Sequence, residues 1–366
     1  DESSATRRDF LKYVGFSTAA ATLAACEGPV IKSVPYVVQP EQIRPGIANY
    51  YATTIADGFD FASILVKTRE GRPIKIESNS DAPTLGFANA RVHASILSLY
   101  DNLRLKGPKA NGKDVSWDDF YLQTRSVLKA LSESDKEIIL LMPTIPSPTS
   151  QKIIANFISI YPNIRPVVYD TISYDAALNS FEKYYGERAL ADYDFSKAET
   201  IVSVDADFIG DWQGGGYESG YARSRIPHRN HRKAVMSKHF HFESNMSLTG
   251  ANADHRIPCT PADQKNILAF IYDSLFERNV SQLSEDLKPM AEMALAALKK
   301  SGSKGVIVSG IDDEDAQATV LAINTYLKSE DFYPESPKLI RQGNTKKVLS
   351  AFGDIESGKA RGLISV

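Results

Sequence analysis

Cysteine is nearly absent from this chain: Cys26 and Cys259 are the two among 366 residues. That excludes a disulfide-rich scaffold and any four-cysteine iron–sulfur site built from these residues alone. Long apolar runs are also missing. The longest, Tyr13 to Cys26, is diluted by Ser17, Thr18 and Thr22, and falls short of the roughly 20 residues a membrane-spanning helix needs. Neither sign of charge is in excess. A net charge of −3 leaves no broad basic face, so no nucleic-acid partner is expected. There is no G-x-S-x-G nucleophile elbow, no internal repeat and no low-complexity tract. The rest is an ordinary globular composition, 43% hydrophobic and 10% aromatic, able to build a sizeable core. The length suits about two domains of roughly 150 residues each.

The opening segment is the most directional. Arg7 and Arg8 precede Asp9-Phe10-Leu11-Lys12 and an alanine-rich apolar stretch. A charged start, a short apolar middle and small residues at the end have the layout of an export signal, and paired arginines mark the route taken by folded cargo. The signal ends in Leu23-Ala24-Ala25-Cys26, like a lipoprotein processing box in which Cys26 would carry the acyl chains. The expected location is the periplasmic side of a bacterial inner membrane, peripheral and anchored through Cys26. Cleaved and retained forms of residues 1–26 both stay open.

Residues 27–50 hold Pro29, Pro35, Pro40 and Pro45 without a helical or strand period, which predicts an extended connector. Residues 51–110 read as a small β-rich domain. Two β-forming runs within 60–78 flank Arg69-Glu70-Gly71-Arg72, a hairpin with a glycine turn. A short helix is expected at 90–99 and a turn-rich boundary at 108–113. Residues 111–366 change pattern. Helices are predicted at 117–131, with Ser116 as N-cap, and at 149–160, 174–185, 264–277, 284–299 and 314–328. Apolar strands are predicted at 137–143, 166–169, 200–207, 305–310 and 360–366. Apolar strands alternating with helices predict an α/β, doubly wound, mainly parallel sheet. A loop-rich stretch follows the strand at 200–207 before the alternation resumes with the helix at 264–277. A last strand at 360–366 suggests that the sheet continues beyond this stretch or is completed elsewhere.

Three groups of residues raise chemical questions. The loop GDWQGGGYESG, 210–220, follows a strand, where glycine-rich backbone can cradle phosphate, but it fits neither the P-loop nor the dinucleotide fingerprint. Five of the six histidines fall between 228 and 255. His228-x-x-His231 and His239-x-His241 have spacings used in metal sites, yet no helix positions a third ligand, so no metal is expected. On a strand, His239 and His241 would share one face. Cys259, in IPCTPAD before a helix, reads as a structural cysteine, although a helix N-terminus can lower a thiol pKa.

Four stretches in order, GRPIKIESN (71–79), ARVHASILSLYDNLRLKGP (90–108), SVDADFIGDW (203–212) and MSLTGANADHRIPCTPAD (246–263), resemble the molybdopterin oxidoreductases of the complex iron–sulfur class. With RRDFLKY and PVIKSVPYVVQPEQIRPGIANYYATT, the chain resembles the molybdopterin-oxidoreductase-like, iron–sulfur subunit of bacterial alternative complex III. The resemblance implies a molybdopterin-oxidoreductase-like fold. In catalytic members the segment before the GRPIKIE-like hairpin carries four cluster cysteines. Here NYYATTIADGFDFASI, 49–64, has none, so no cluster is implied in this domain. The molybdenum-ligand position would fall near Ser173, crowded by Asp170 and Asp175. The pterin site would fall at Ser173, Asp205, Asp207, Gly214, Gly215 and Asp263, degenerate and too acidic for a polyanion.

The resemblance thus implies a non-catalytic domain without cofactor in this chain, with iron–sulfur clusters in a C-terminal continuation and haem c in partner subunits. Its partners would be cytochrome c subunits, an integral quinol-binding subunit and the iron–sulfur portion of a quinol-oxidising membrane complex. An active molybdoenzyme using Ser173, and an exported nucleotide-binding lipoprotein, are the alternatives.

Overall fold

The computed structural model describes residues 40–57, 60–79, 81–82, 88–227, 236–279 and 281–366. Arg7, Arg8 and Cys26, and with them the export and lipidation expectations, lie outside the described residues. The chain divides into a first unit, Asp1–Ile47, and a second, Ala48–Val366. In the first, residues 40–47 form two turns, closed by Ile43 N–H donating to the Pro40 carbonyl and Ile47 N–H to that of Arg44.

The second unit opens with an antiparallel sheet of β1 (Ala48–Asp57), β2 (Asp60–Arg69) and β3 (Arg72–Ser78). The expected hairpin is present. Glu70 and Gly71 take φ of 51° and 78°, the two left-handed centres of a type I′ turn, whose twist matches that of the flanking strands. Residues 48–50, expected as connector, belong instead to β1, where Ala48 pairs with Arg69. Alternate residues of β2, Ala62 and Ile64, bury with Ile76 against Val92 of α1 (Ala90–Ala94). The expected turn-rich boundary is a short ribbon, β4 (Lys109–Ala110) and β5 (Lys113–Asp114), turned by Asn111 and Gly112 at φ 49° and 77°.

The chain continues through α2 (Trp117–Ser132), β6 (Glu137–Met142), α3 (Pro148–Ile160), β7 (Ile164–Val168), α4 (Asp175–Tyr185), β8 (Leu190–Tyr193), β9 (Thr200–Val204) and α5 (Glu218–Ser224). Then follow β10 (Lys238–Glu243), α6 (Leu248–Asn252), β11 (His255–Pro258), α7 (Pro261–Leu275), α8 (Lys288–Ser301), β12 (Gly305–Ser309), α9 (Glu314–Leu327), β13 (Phe332–Lys338), α10 (Thr345–Glu356) and β14 (Ala360–Ser365). Local signals explain several boundaries. Ser116 accepts from Asp119 N–H at the start of α2, Pro148 occupies the first turn of α3, and Gly186 ends α4 at φ 79°, the left-handed stop that glycine adopts without strain.

Two parallel sheets result, so this is an α/β fold with mainly parallel strands and a small N-terminal antiparallel sheet. The first has order β14-β6-β7. Side chains alternate across β6: Ile139 packs with Val167, Val348 and Ala351 under α10, while Ile138 and Leu140 pack with Leu128 and Ile164 under α2 and α3. The second has order β11-β10-β9-β12. One face, with Val202, Val204, Phe240 and Phe242, is covered by α7, α8 and α9; the other holds an aromatic layer that includes Phe181, Phe195, Phe208 and Trp212. Strands buried on both faces read as continuous apolar runs, as β6, β9 and β12 do. The stretch expected to be loop-rich contains β10, the second central strand, whose His239 and His241 are fully buried. Its side chains satisfy one another, which removed the apolar signature.

Everything from α4 to β13 lies between β7 and β14, so the second sheet is an insertion within the first. One carboxylate ties the outgoing and returning strands. Asp170 accepts from Thr144 N–H (3.1 Å), the Thr144 hydroxyl (2.8 Å), Gln342 N–H (3.1 Å) and Gly343 N–H (2.8 Å). A Cβ at Gly343 would lie 2.9 Å from Asp170 Oδ2, so only glycine lets the two segments approach this closely. Asp175 in turn pairs with Arg188 at 2.9 Å and accepts from Thr345 N–H at 2.8 Å. Asp170 and Asp175, expected to crowd Ser173 with charge, are thus turned onto donors.

Candidate functional site

In the second sheet the chain proceeds from β9 to β10 and β11 on one side, then returns to place β12 on the other side of β9. The order therefore reverses between β9 and β12, and in open α/β sheets ligands bind at such a point, beyond the carboxyl ends of the strands. A cleft of about 440 Å³ lies there. Asp205 and Asp207 follow β9, Ser309, Gly310 and Asp312 follow β12, and Ile172, Ser173 and Tyr174 enter from the segment leaving the first sheet. A second cleft, of about 750 Å³, lies at the ends of β6 and β14, where the order of the first sheet reverses; Tyr169 and Thr171 line it. The segment 169–174 thus contributes residues to each cleft, Tyr169 and Thr171 to one and Ile172, Ser173 and Tyr174 to the other.

The β9–β12 cleft is shaped by close backbone approach. A Cβ at Gly310 would meet the Asp205 carbonyl oxygen at 2.0 Å, so the two loops fit only with glycine there. Asp205 itself takes φ 55° and Gln213 φ 51°, a region non-glycine residues seldom visit. Trp212 donates from Nε1 to the Ser309 carbonyl at 3.2 Å, and Gln317 Nε2 bridges the carbonyls of Ser309 and Ile311.

Acid dominates its electrostatics. Asp205, Asp207, Asp211 and Asp312 line the cleft, and no Lys, Arg or His does among the described residues. Burial pushes the Asp205 carboxyl above its ordinary pKa, against a hydrogen bond from Gln264. Asp207 accepts from Thr249 N–H (2.9 Å), Asp312 from Ala176 N–H (3.3 Å), and Asp211 from Arg91 (2.6 Å). Arg91 also holds Asp60 through two bonds of 2.9 Å, joining the small antiparallel sheet to this loop.

The structure brings together Ser173, Asp205 and Asp207, but not Gly214, Gly215 or Asp263. The glycine-rich loop is closed on itself. Gly214 N–H donates to the Asp211 carbonyl, Gly215 N–H to that of Trp212, and Gly216 N–H to Glu218 Oε2. Amides already engaged in this way do not present a phosphate cradle. Asp263 forms the capping box of α7 with Thr260, a local role. Ser173 Oγ accepts from Asp175 N–H at 3.2 Å.

His239 and His241 belong to a buried line. Ser203 Oγ lies 2.7 Å from His239 Nε2 and 2.5 Å from His241 Nδ1; His241 Nε2 lies 2.9 Å from Glu243 Oε2. Glu243 also accepts from Arg256 at 2.5 Å and from Ser247 N–H at 3.0 Å. Burial opposes its charge, but these donors outweigh burial and hold its pKa below the usual carboxylate value. An ionised Glu243 only accepts, which assigns His241 the Nε2–H tautomer and lets its Nδ1 accept from Ser203. Burial keeps both rings neutral, with the His239 pKa pushed down to about 3.

The order Ser203–His241–Glu243 has the connectivity of a catalytic triad, which sequence spacing alone did not reveal. Ser203 has no exposed surface, so no substrate carbonyl reaches it, and the line is structural. No group of three or more His, Cys, Asp or Glu among the described residues is arranged to hold a metal. His228 and His231 lie outside the described residues. Burial, with Asp263 adding negative charge, pushes the Cys259 pKa up to about 12, which disfavours the reactive thiolate.

The residues that sequence reasoning missed, Tyr174, Gln213, Ser309, Asp312 and Gln317, flank strands or loops it had located. Their convergence depends on β12 neighbouring β9, and no local pattern encodes that.

No family model matches the chain, and no curated protein matches it. Among solved structures it is similar to acetylene hydratase from Pelobacter acetylenicus, at 11% identity and a TM-score of 0.49 over 75% of this chain. The match spans 43% of that protein's length.

Proposed function

We propose that this chain is a non-catalytic, molybdopterin-oxidoreductase-like domain that holds no cofactor and acts as a scaffold in a quinol-oxidising membrane respiratory complex. The observation that carries the reading is the lining of the β9–β12 cleft. Four carboxylates, no lining cation among the described residues and a self-closed glycine loop do not fit the pyrophosphate of a pterin dinucleotide. Like charges in a partly desolvated cleft repel strongly. The cysteine-free segment 49–64 supports the same reading for an iron–sulfur cluster. Rigid placement would then be the contribution of the domain. The Asp170 clamp and the insertion of one sheet into the other supply a frame on which a cluster-bearing continuation and cytochrome c subunits keep their separations. Arg7 and Arg8 would direct export, and Cys26 would anchor the domain at the periplasmic face.

A second reading has one observation in its favour: Ser173, the position implied for a molybdenum ligand, does line the cleft. Its neighbours there are the four carboxylates.

The test is isolation of the native complex from membranes through a tag on this chain. The proposal predicts that c-type haem and iron co-purify with it, and that the complex reduces a cytochrome with quinol as donor. A chain recovered alone, without haem, iron or an integral membrane partner, would contradict it.

A further inference from the structure

Gln213 is 4% exposed and yet lines the β9–β12 cleft. A buried chain sets its orientation. Asp192 pairs with Lys338 Nζ at 2.8 Å, Lys338 donates to the Tyr217 hydroxyl at 2.7 Å, and Tyr217 donates to Gln213 Oε1 at 2.6 Å. Burial lowers the Lys338 pKa and Asp192 opposes that; with Lys338 donating to Tyr217, the single Tyr217 proton goes to Gln213 Oε1. The amide Nε2 is left as a donor, and it bonds to no described residue. In the same cleft, Asp205, Asp207 and Asp312 each use Oδ1 alone toward described residues. Ile172, Ile311 and Trp212 supply apolar wall. The cleft therefore offers one fixed donor, several carboxylate oxygens and a greasy side.

We propose that this cleft receives a basic side chain of a polypeptide, a lysine or arginine whose charged head meets Asp205 and Asp207 while a carbonyl of the same segment accepts from Gln213 Nε2. A cation relieves the repulsion among the carboxylates, the methylene stem covers the apolar wall, and the cleft-facing Nε2 of Gln213 gains an acceptor. The inference rests on the scaffold reading and gives the chemistry of the partner segment that docks there.

The chain has two tryptophans. Trp117 is exposed and outside the cleft, so Trp117→Phe in the full chain leaves Trp212 as the sole reporter. Its emission is followed during titration with N-acetyl-arginine amide, agmatine and guanosine diphosphate. The amide is expected to bind saturably, with agmatine, which lacks the carbonyl, roughly threefold to tenfold weaker. Guanosine diphosphate is expected to give no change. Asp205→Asn with Asp207→Asn should weaken the amide by about tenfold or more. Asparagine accepts the left-handed backbone at 205, and circular dichroism checks the fold.

Tighter binding of guanosine diphosphate, no saturable response to the amide, or unchanged affinity in the double variant would overturn the proposal. Equal binding of agmatine and the amide would overturn the peptide assignment. Any of these in a molybdenum-free complex refutes this inference alone; molybdenum in the complex refutes the scaffold reading beneath it.

Discussion

Asp331 is a carboxyl group held where its charge is unwelcome. It is 1% exposed, in the turn immediately before β13. Oδ1 accepts from Lys197 N–H at 3.2 Å, whereas Oδ2 has no partner. Burial, with Asp194 and Glu330 nearby, pushes its pKa from 3.8 up to about 7. The folded state therefore binds a proton that the unfolded state releases between about pH 4 and pH 7. Over that window stability falls as pH rises, and it is flat above it.

At 1.36 kcal/mol per pKa unit, a displacement of about three units corresponds to about 4 kcal/mol, reduced to about half by relaxation of the charged form. Asp331→Asn keeps the acceptor for Lys197 and removes the charge. Urea denaturation of wild type and variant from pH 4 to pH 8.5 measures the difference. The variant is expected to match wild type near pH 4 and to become more stable by about 2–4 kcal/mol above pH 7. A difference that does not change with pH, or a variant less stable at pH 8, would refute the reasoning.

Three further outcomes are expected. Gly310→Ala forces a Cβ against the Asp205 carbonyl oxygen, which should cost about 1–3 kcal/mol and shift the emission of Trp212, read by thermal unfolding and fluorescence. Asp170→Ala leaves the donors of Thr144, Gln342 and Gly343 without their acceptor; a loss of about 3–5 kcal/mol and early proteolysis between β7 and α4 should follow, whereas Ser173→Ala should change stability by under about 1 kcal/mol. The lowered pKa of buried His239 means the unfolded state takes up a proton first, so its contribution is full above about pH 6.5 and is lost toward pH 3, at up to about 1.4 kcal/mol per pH unit. His239→Gln should flatten that acid limb in denaturation curves.

The sequence made the strands legible where side chains alone dictate burial. EIILLM, TIVSV and GVIVS are apolar throughout because both faces of their sheets are covered. The Glu70-Gly71 turn was legible because two left-handed residues demand a glycine. β10 was not, since KHFHFE satisfies itself through Ser203, Glu243 and Tyr221, two of which come from other elements. α10 and β13 have weaker patterns and were passed over as well. At the cleft, Asp205, Asp207 and Ser173 could be named individually, but not as one surface. That surface depends on the order β10-β9-β12 and on the Asp170–Gly343 contact, which joins residues far apart in the chain. Asp263 falls in the stretch that resembles a pterin site, but its Thr-x-x-Asp spacing is also that of a helix cap, and the cap is what forms.

The central proposal is that this α/β domain binds no molybdopterin cofactor. Its most direct test is molybdenum and released pterin per chain, measured on the intact complex purified from native membranes by elemental mass spectrometry and pterin fluorescence. The account predicts iron and haem in fixed ratio to this chain, with neither molybdenum nor pterin above background. Molybdenum and pterin in stoichiometric amount, lost when Ser173 is changed to alanine, would contradict it.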